Sequence, residues 1–328
     1  MMNNHFSVRF FLLIIFSLSV LLLAPFTGME FISIGDVIND PFSKKIILSI
    51  RLPRVLTAFC AGAGLALSGM VFQAIFRNPM ADPFTLGVAS GASCGAALTI
   101  IYGLSGTILG ISYMTLGAFA GSFVSILLVF GLSKLKNDFA PVIMLLAGIA
   151  VSFLFSSSLM FIQYISSFRD SFHIIRWLMG GLDIFGYEPL ITIFIFLSFG
   201  AIVILSKLIE LDHIMTGDDI ALSRGVNITK TRYVLLSVST LLIGSIVSVC
   251  GPIGFVGLMI PHICRMIFAS NHTKLGPSVF LLGGTFLVIC DTFARTIIAP
   301  SELPVGILTS MLGAPFFLWL LLRKNVWY

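Results

Sequence analysis

The side chains of this chain that could do chemistry are sparse, and their spacing suits no common reaction centre. The five cysteines, Cys60, Cys94, Cys250, Cys264 and Cys290, form no CxxC pair and lie mostly in apolar stretches, so they read as packing residues. A phosphate loop needs a Gly-Lys pair closing a glycine-rich turn, and no Gly-Lys dipeptide occurs anywhere in the chain. HExxH and GxSxG are absent as well, which leaves neither a zinc nor a serine hydrolase site. Two charged segments stand out. Lys44, Lys45, Arg51 and Arg54 crowd together just before an apolar run, and guanidinium groups of this kind form bidentate pairs with carboxylates or snorkel to a membrane interface. Lys207 to Arg232 is the longest charged stretch. Within it Thr216-Gly217-Asp218-Asp219 predicts a helix start capped by Asp, and Ile220 to Arg224 gives about one and a half turns. Gly225 is placed as a left-handed C-terminal cap.

The elements that must carry these residues are membrane helices. Of the 328 residues 58% are hydrophobic and 10% charged, and the mean hydropathy is +1.08. An ordinary globular domain has roughly 25% charged residues, so this surface cannot face water. A net charge of +5, spread along the chain, suits basic loops rather than a nucleic-acid patch. Charge-free stretches predict ten spans, each needing ~20 apolar residues. They run from Phe10 to Met29, Val55 to Phe76, twice within Pro83 to Ser133 with a turn around Gly103–Ser112, Phe139 to Phe168 and Pro189 to Ser206. Tyr233 to Pro261 continues past Gly251-Pro252-Ile253-Gly254, which splits it into a seventh span and a short eighth one, broken or tilted and holding Pro261. The ninth starts near Leu275 and the tenth covers Leu303 to Leu322. Ala24-Pro25-Phe26 offers no signal-peptidase pattern, so the first span is expected to stay.

With both termini inside, twelve of the nineteen Lys and Arg residues fall on the inner side and seven outside. Four of those seven are the Lys44–Arg54 cluster, which needs a reason of its own. Spans three, four, five, seven and ten contain no Asp, Glu or His, whereas ion-coupled transporters place such groups in mid-membrane. Energy for uphill movement then has to come from another subunit. Ala58, Gly62 and Ala66, with Gly64 and Ser68, recur at four-residue spacing and allow close helix approach, within the bundle or between subunits.

Four segments, in order from residue 51 to 317, resemble the FecCD family, the permease subunits of bacterial ABC importers for iron–siderophore, haem and cobalamin. They are Arg51-Leu52-Pro53-Arg54; Arg77-Asn78-Pro79-Met80-Ala81-Asp82-Pro83 followed by Leu86-Gly87-Val88-Ala89-Ser90-Gly91; Gly251-Pro252-Ile253-Gly254-Phe255-Val256-Gly257-Leu258 followed by Pro261-His262; and Glu302-Leu303-Pro304-Val305-Gly306-Ile307 followed by Gly313-Ala314-Pro315-Phe316-Phe317. The resemblance implies an all-α, ten-helix subunit, residues 1–328 forming one permease domain with a cytoplasmic coupling loop at about 207–232. It implies a homodimer or a pair of related permeases in the bacterial cytoplasmic membrane, both termini cytoplasmic. Cytoplasmic ATPase subunits would hold ATP and magnesium, this chain itself binding no cofactor, and an extracytoplasmic binding protein would dock outside.

Carried onto this sequence, the resemblance assigns Arg51, Arg54 and Arg295 to docking the binding protein. Asp218, Asp219, Ala221, Arg224 and Gly225 fall to the helix that engages the ATPase, the Ala221–Gly225 spacing fitting a close partner. Ala140-Pro141 falls at the cytoplasmic gate, where hydroxyls of some relatives are missing, so a steric gate is expected. Ser152, Ser156 and Ser157, then Gln163 further out, form the polar stripe of the fifth span, as pathway lining or as helix–helix hydrogen bonds. Gln73 either lines the pathway or satisfies neighbouring backbone. His262 is expected to be a packed, hydrogen-bonded residue. The expected cargo is an iron(III)–siderophore, with haem, cobalamin or a molybdate-type oxyanion as alternatives. An ion-coupled transporter and a membrane enzyme are the competing classes; the missing mid-span acids oppose the first and the missing nucleophile–base pair the second.

Overall fold

The computed structural model describes residues 2–28, 30–108, 110–135, 141–268 and 270–322. The chain opens with α1 (Met2–Leu23), then two short helices, α2 (Ile34–Asn39) and α3 (Pro41–Ile46). Ser33 and Asp36 form a reciprocal capping box at the start of α2, and the Asp40 carboxylate accepts from the Phe42 and Ser43 amides to start α3. A π-helical turn, Ile47–Arg51, leads into α4 (Leu52–Ile75). After a turn and a 3-10 segment (Pro83–Leu86) come α5 (Val88–Ile101), a small hairpin of β1 (Thr107–Ile108) and β2 (Ile111–Ser112), and α6 (Tyr113–Leu135). The hairpin occupies the turn predicted between spans three and four.

The second half holds α7 (Pro141–Ile165), α8 (Phe168–Leu178), α9 (Glu188–Ser206), α10 (Leu208–Thr216), α11 (Asp218–Ser223), α12 (Ile228–Cys250), α13 (Val256–Ile267), α14 (His272–Thr296) and α15 (Val305–Leu322). Among the described residues seven helices are long and apolar enough to cross a membrane, and three shorter apolar ones, α5, α13 and α15, account for the other expected spans. The predicted fifth span is shortened. It ends at Ile165, and Ser167 caps the separate helix α8. The predicted division between spans seven and eight is an extended segment at 251–255, ending in Phe255 with a left-handed φ of 68°; α13 then runs through Pro261 as one continuous helix, where the sequence had pointed to a broken one.

Helix α4 is the axle. It is buried on nearly all sides, between α14, α12, α13 and α9. Its small residues make this possible. A Cβ added to Gly69 would lie 1.8 Å from the Gly257 carbonyl oxygen, and one on Gly62 would lie 2.3 Å from that of Gly283. The Gly62–Ala66 stripe is therefore used inside the subunit, where Gly283 meets Ala66. By contrast α1, α6, α7 and α9 turn large apolar side chains outward, among them Phe11, Leu127, Phe153 and Ile202. The bundle has two distinct ends, one carrying α2, α3, α8 and residues 297–304, the other α10 and α11.

Candidate functional sites at the two ends of the bundle

At the α8 end a buried ion network joins α4 to α14. Arg54 approaches one Asp291 carboxylate oxygen through Nε at 3.0 Å and Nη2 at 2.9 Å, and its Nη1 donates to Glu302 at 2.7 Å. Arg295 Nε lies 3.1 Å from the other Asp291 oxygen, close enough for an ion pair without hydrogen-bond alignment. Its Nη1 donates to the Thr27 carbonyl. Arg54 and Arg295 are only 7% and 3% exposed. These two are thus not the open guanidinium groups expected at a docking surface; the carboxylates that balance them come from their own chain. The charge of Arg54 in the Lys44–Arg54 cluster is thus balanced within its own chain. Arg51 is half-buried and donates to the carbonyls of Pro25, Phe26 and Glu30, tying the end of α1 to the start of α4.

At the opposite end Asp218 is the hub. Arg77 and Arg232 both donate to it, the latter at 2.8 Å, and Arg77 also bonds the Ile214 carbonyl that closes α10. Asp218 does not cap its helix as predicted; Gly217 holds the cap position and no side chain bonds there. Gly225 takes φ +78° with open space around it, a left-handed cap. Ala221 is fully buried against Ile214, Val226 and Ile228, so it packs on its own chain and not on a partner. The surface of α11 open to a partner is instead Asp219, Ile220, Leu222 and Arg224, with Ile220 and Leu222 exposed apolar side chains.

Two further pairs fix α10. Asp212 accepts from the His272 amide and meets its Nδ1 at 2.6 Å. Burial raises the Asp212 pKa, but these His272 contacts outweigh it and hold the carboxyl below its usual range. Glu210 takes Lys207 and the Thr231 hydroxyl, and these likewise outweigh its burial and lower its pKa.

The expected pathway residues are dispersed. Gln73 is buried, donates to the Gly257 and Leu258 carbonyls at 3.3 and 3.0 Å, and accepts from Arg265 at 2.6 Å. It therefore satisfies the exposed backbone where α13 begins and does not line an open route. Ser152, half-buried, faces Gly87 at the start of α5, and Ser156 and Gln163 are also half-buried. The open face of α7 is Phe153, Ser157, Met160 and Tyr164. Ala140 lies outside the described residues, and Pro141 begins α7. His262 packs edge-on to Phe316 as expected, but among the described residues its buried Nε2 lacks the expected hydrogen-bond partner. Sequence reasoning missed Asp291 and Glu302 as partners of Arg54. It also missed α8, whose Arg169, His173 and Arg176 line a cavity of about 560 Å³ at that end. The i, i+4, i+7 spacing of those three was the available signal.

A bundle of apolar helices, seven of them among the described residues long enough to cross a membrane, defines the class, a multi-pass membrane protein, and comparison with known proteins gives the family. The FecCD transport family profile matches residues 11–323. The chain is 38% identical over 299 residues to the hemin transport system permease protein HmuU of Yersinia pestis, covering 91% of this chain and 89% of that one. It is 37% identical over 279 residues to the molybdate import system permease protein MolB of Haemophilus influenzae, covering 85% and 81%. A solved structure described as a metal-chelate type ABC transporter in an inward-facing conformation superposes with a TM-score of 0.87 at 33% identity, over 96% of this chain and 99% of that one. This chain belongs to the FecCD family of ABC-importer permeases.

Proposed function

We propose that this permease forms the translocation pathway of an ATP-driven importer as a homodimer, with iron(III)–siderophore as cargo. The α10–α11 end is cytoplasmic in this reading, together with both termini, and the α8 end faces outward across the cytoplasmic membrane of a bacterium. The observation that carries it is the α11 surface. Ile220 and Leu222 are held out on a helix that Arg77, Asp218 and Arg232 clamp to the bundle, so a push on α11 reaches α4 and α12 directly. An apolar patch on a rigid six-residue helix suits a groove on a soluble ATPase, which would bind ATP and magnesium. At the outer end the binding protein docks on the Arg51 rim, with Arg54 and Arg295 shaping the surface from beneath. A second copy packs on the open apolar faces of α7 and α15, which meet at the dimer axis.

Hemin and molybdate relatives share nearly the same identity with this chain, so identity alone does not single out a cargo. The likeness to a structure described as of the metal-chelate type, over nearly the whole chain, supports a chelated-metal cargo over an oxyanion. The test is attachment of the ATPase. Gly225→Val forces a branched side chain into the left-handed cap, at ~1–2 kcal/mol locally, and Leu222→Asp breaks the apolar patch. Both variants are expected to fold and to lose ATPase pull-down and transport. Full pull-down by both would remove α11 from the coupling role.

A further inference from the structure

We infer that the cavity between α10 and the start of α12 holds the phosphate headgroup of an anionic phospholipid. The inference rests on the cytoplasmic placement of this end.

The cavity measures about 460 Å³, and Lys207, Glu210, His213, Arg224, Lys230 and Thr231 line it. Its charges do not balance. Glu210 is taken by Lys207 at 2.5 Å and by the Thr231 hydroxyl. That pair is neutral, which leaves Arg224 and Lys230 as two net positive charges. Arg224 Nη1 lies 3.3 Å from His213 Nδ1, so two basic side chains stand side by side, and among the described residues no carboxylate bonds either of them. Lys230 is exposed and forms no ion pair within 4 Å among the described residues. The 23-residue helix α12 starts at the same space, where Asn227 caps it, and its dipole adds positive potential. A phosphate group supplies the missing negative charge.

The apolar surroundings select a lipid over a free anion. Lys207 is the C-terminal cap of α9, where that apolar helix ends. Phe199, Ile202 and Leu205 lie exposed along α9, and Ile209, 62% exposed, sits on the cavity lip. Tyr233, half-exposed on α12, packs against Phe130 at 5.4 Å. An acyl chain has an apolar track up to the cavity mouth, with the basic groups waiting at headgroup depth. Because Arg224 and Gly225 end α11, a bound headgroup would join the end of that helix to α9 and α12.

The experiment uses the permease with its ATPase in nanodiscs of phosphatidylcholine with and without phosphatidylglycerol. Retained lipid is counted by native mass spectrometry and affinity read from titration. The expected result is one tightly held phosphatidylglycerol per permease chain, bound about tenfold more weakly by the variant His213→Gln with Lys230→Gln. ATPase pull-down should stay intact in that variant, which separates this inference from the coupling role of α11. Should the double variant fail to fold, Ile209→Asp, which sets a carboxylate on the lip, carries the same expectation. Neutralising Lys44 and Lys45 at the other end should leave retention unchanged. Equal retention by the lip and cavity variants and the wild type would overturn the inference. So would displacement of the lipid by inorganic phosphate in large excess, since the occupant would then be a soluble anion.

Discussion

Replacing Asp291 by Asn asks whether the buried ion network organises the α8 end of the permease. Asn keeps the shape and removes the charge that faces two guanidinium groups at 2.9–3.1 Å. Removing one partner of a buried pair leaves an uncompensated charge and destabilises by ~3–5 kcal/mol. Arg54 keeps Glu302 at 2.7 Å, and Arg295 keeps the Thr27 carbonyl, which places the expected loss near the lower limit, ~3 kcal/mol. Glu302→Gln tests the same network at its rim. The Glu302 side chain is 33% exposed, solvent screens its charge, and the expected loss is ~1 kcal/mol or less. The assay is the folded fraction in dodecyl maltoside micelles titrated with SDS. Replacing Arg54, Asp291 and Arg295 together by Met, Leu and Met removes the three buried charges of this network and is expected to be milder than Asp291→Asn alone. Equal effects of Asp291→Asn and Glu302→Gln would refute the reasoning, because burial would then make no difference.

Gly69→Ala sets a methyl 1.8 Å from the Gly257 carbonyl oxygen and is expected to destabilise by ~3 kcal/mol or abolish folded expression, whereas Gly131→Ala, with nothing within 4 Å, is expected to be neutral or stabilising by up to ~1 kcal/mol; fluorescence-detected size exclusion after heating separates them. Burial pushes the Asp82 carboxyl up to about 6, against the opposing Phe84 amide, so the folded chain holds that proton more tightly than the unfolded one. Its favourable contribution is present below about pH 4 and is lost as the pH rises through about 6. Asp82→Asn, which can still accept from Phe84, is expected to match wild type at low pH and to be more stable above pH 7 by up to ~3 kcal/mol, read from melting curves across pH. Arg77→Gln removes one of the two guanidinium groups on Asp218 and frees the Ile214 carbonyl; it is expected to keep ATPase pull-down while lowering the transport driven per ATP, measured in proteoliposomes.

Much of the bundle was legible because span length and punctuation are local signals. The charge-free stretches located the helices, and Gly251-Pro252-Ile253-Gly254 marked the extended break before α13. Gly225 announced its left-handed cap by residue type alone. The sites were less legible because their contacts are long-range. Asp291 and Glu302 lie 237 and 248 residues from Arg54, and no spacing rule connects them. Arg54 therefore read as a surface group although it is buried. Gln73 is similar, since its partners are carbonyls freed where α13 starts. Ala221 was misread for a different reason. Its small side chain fits close packing, but periodicity cannot say which of two surfaces it packs against. Helix α8 was missed because Phe168 extends the apolar run of α7, so only the Ser167 cap marks the boundary.

The most direct measurement is uptake of a ferric siderophore into proteoliposomes holding this permease, assembled with and without its ATPase and supplied with and without the binding protein. Uptake is expected only when permease, ATPase, ATP and loaded binding protein are all present, and it should persist when the proton gradient is collapsed. Uptake by the permease alone, driven by an imposed proton gradient and indifferent to ATP, would contradict the account.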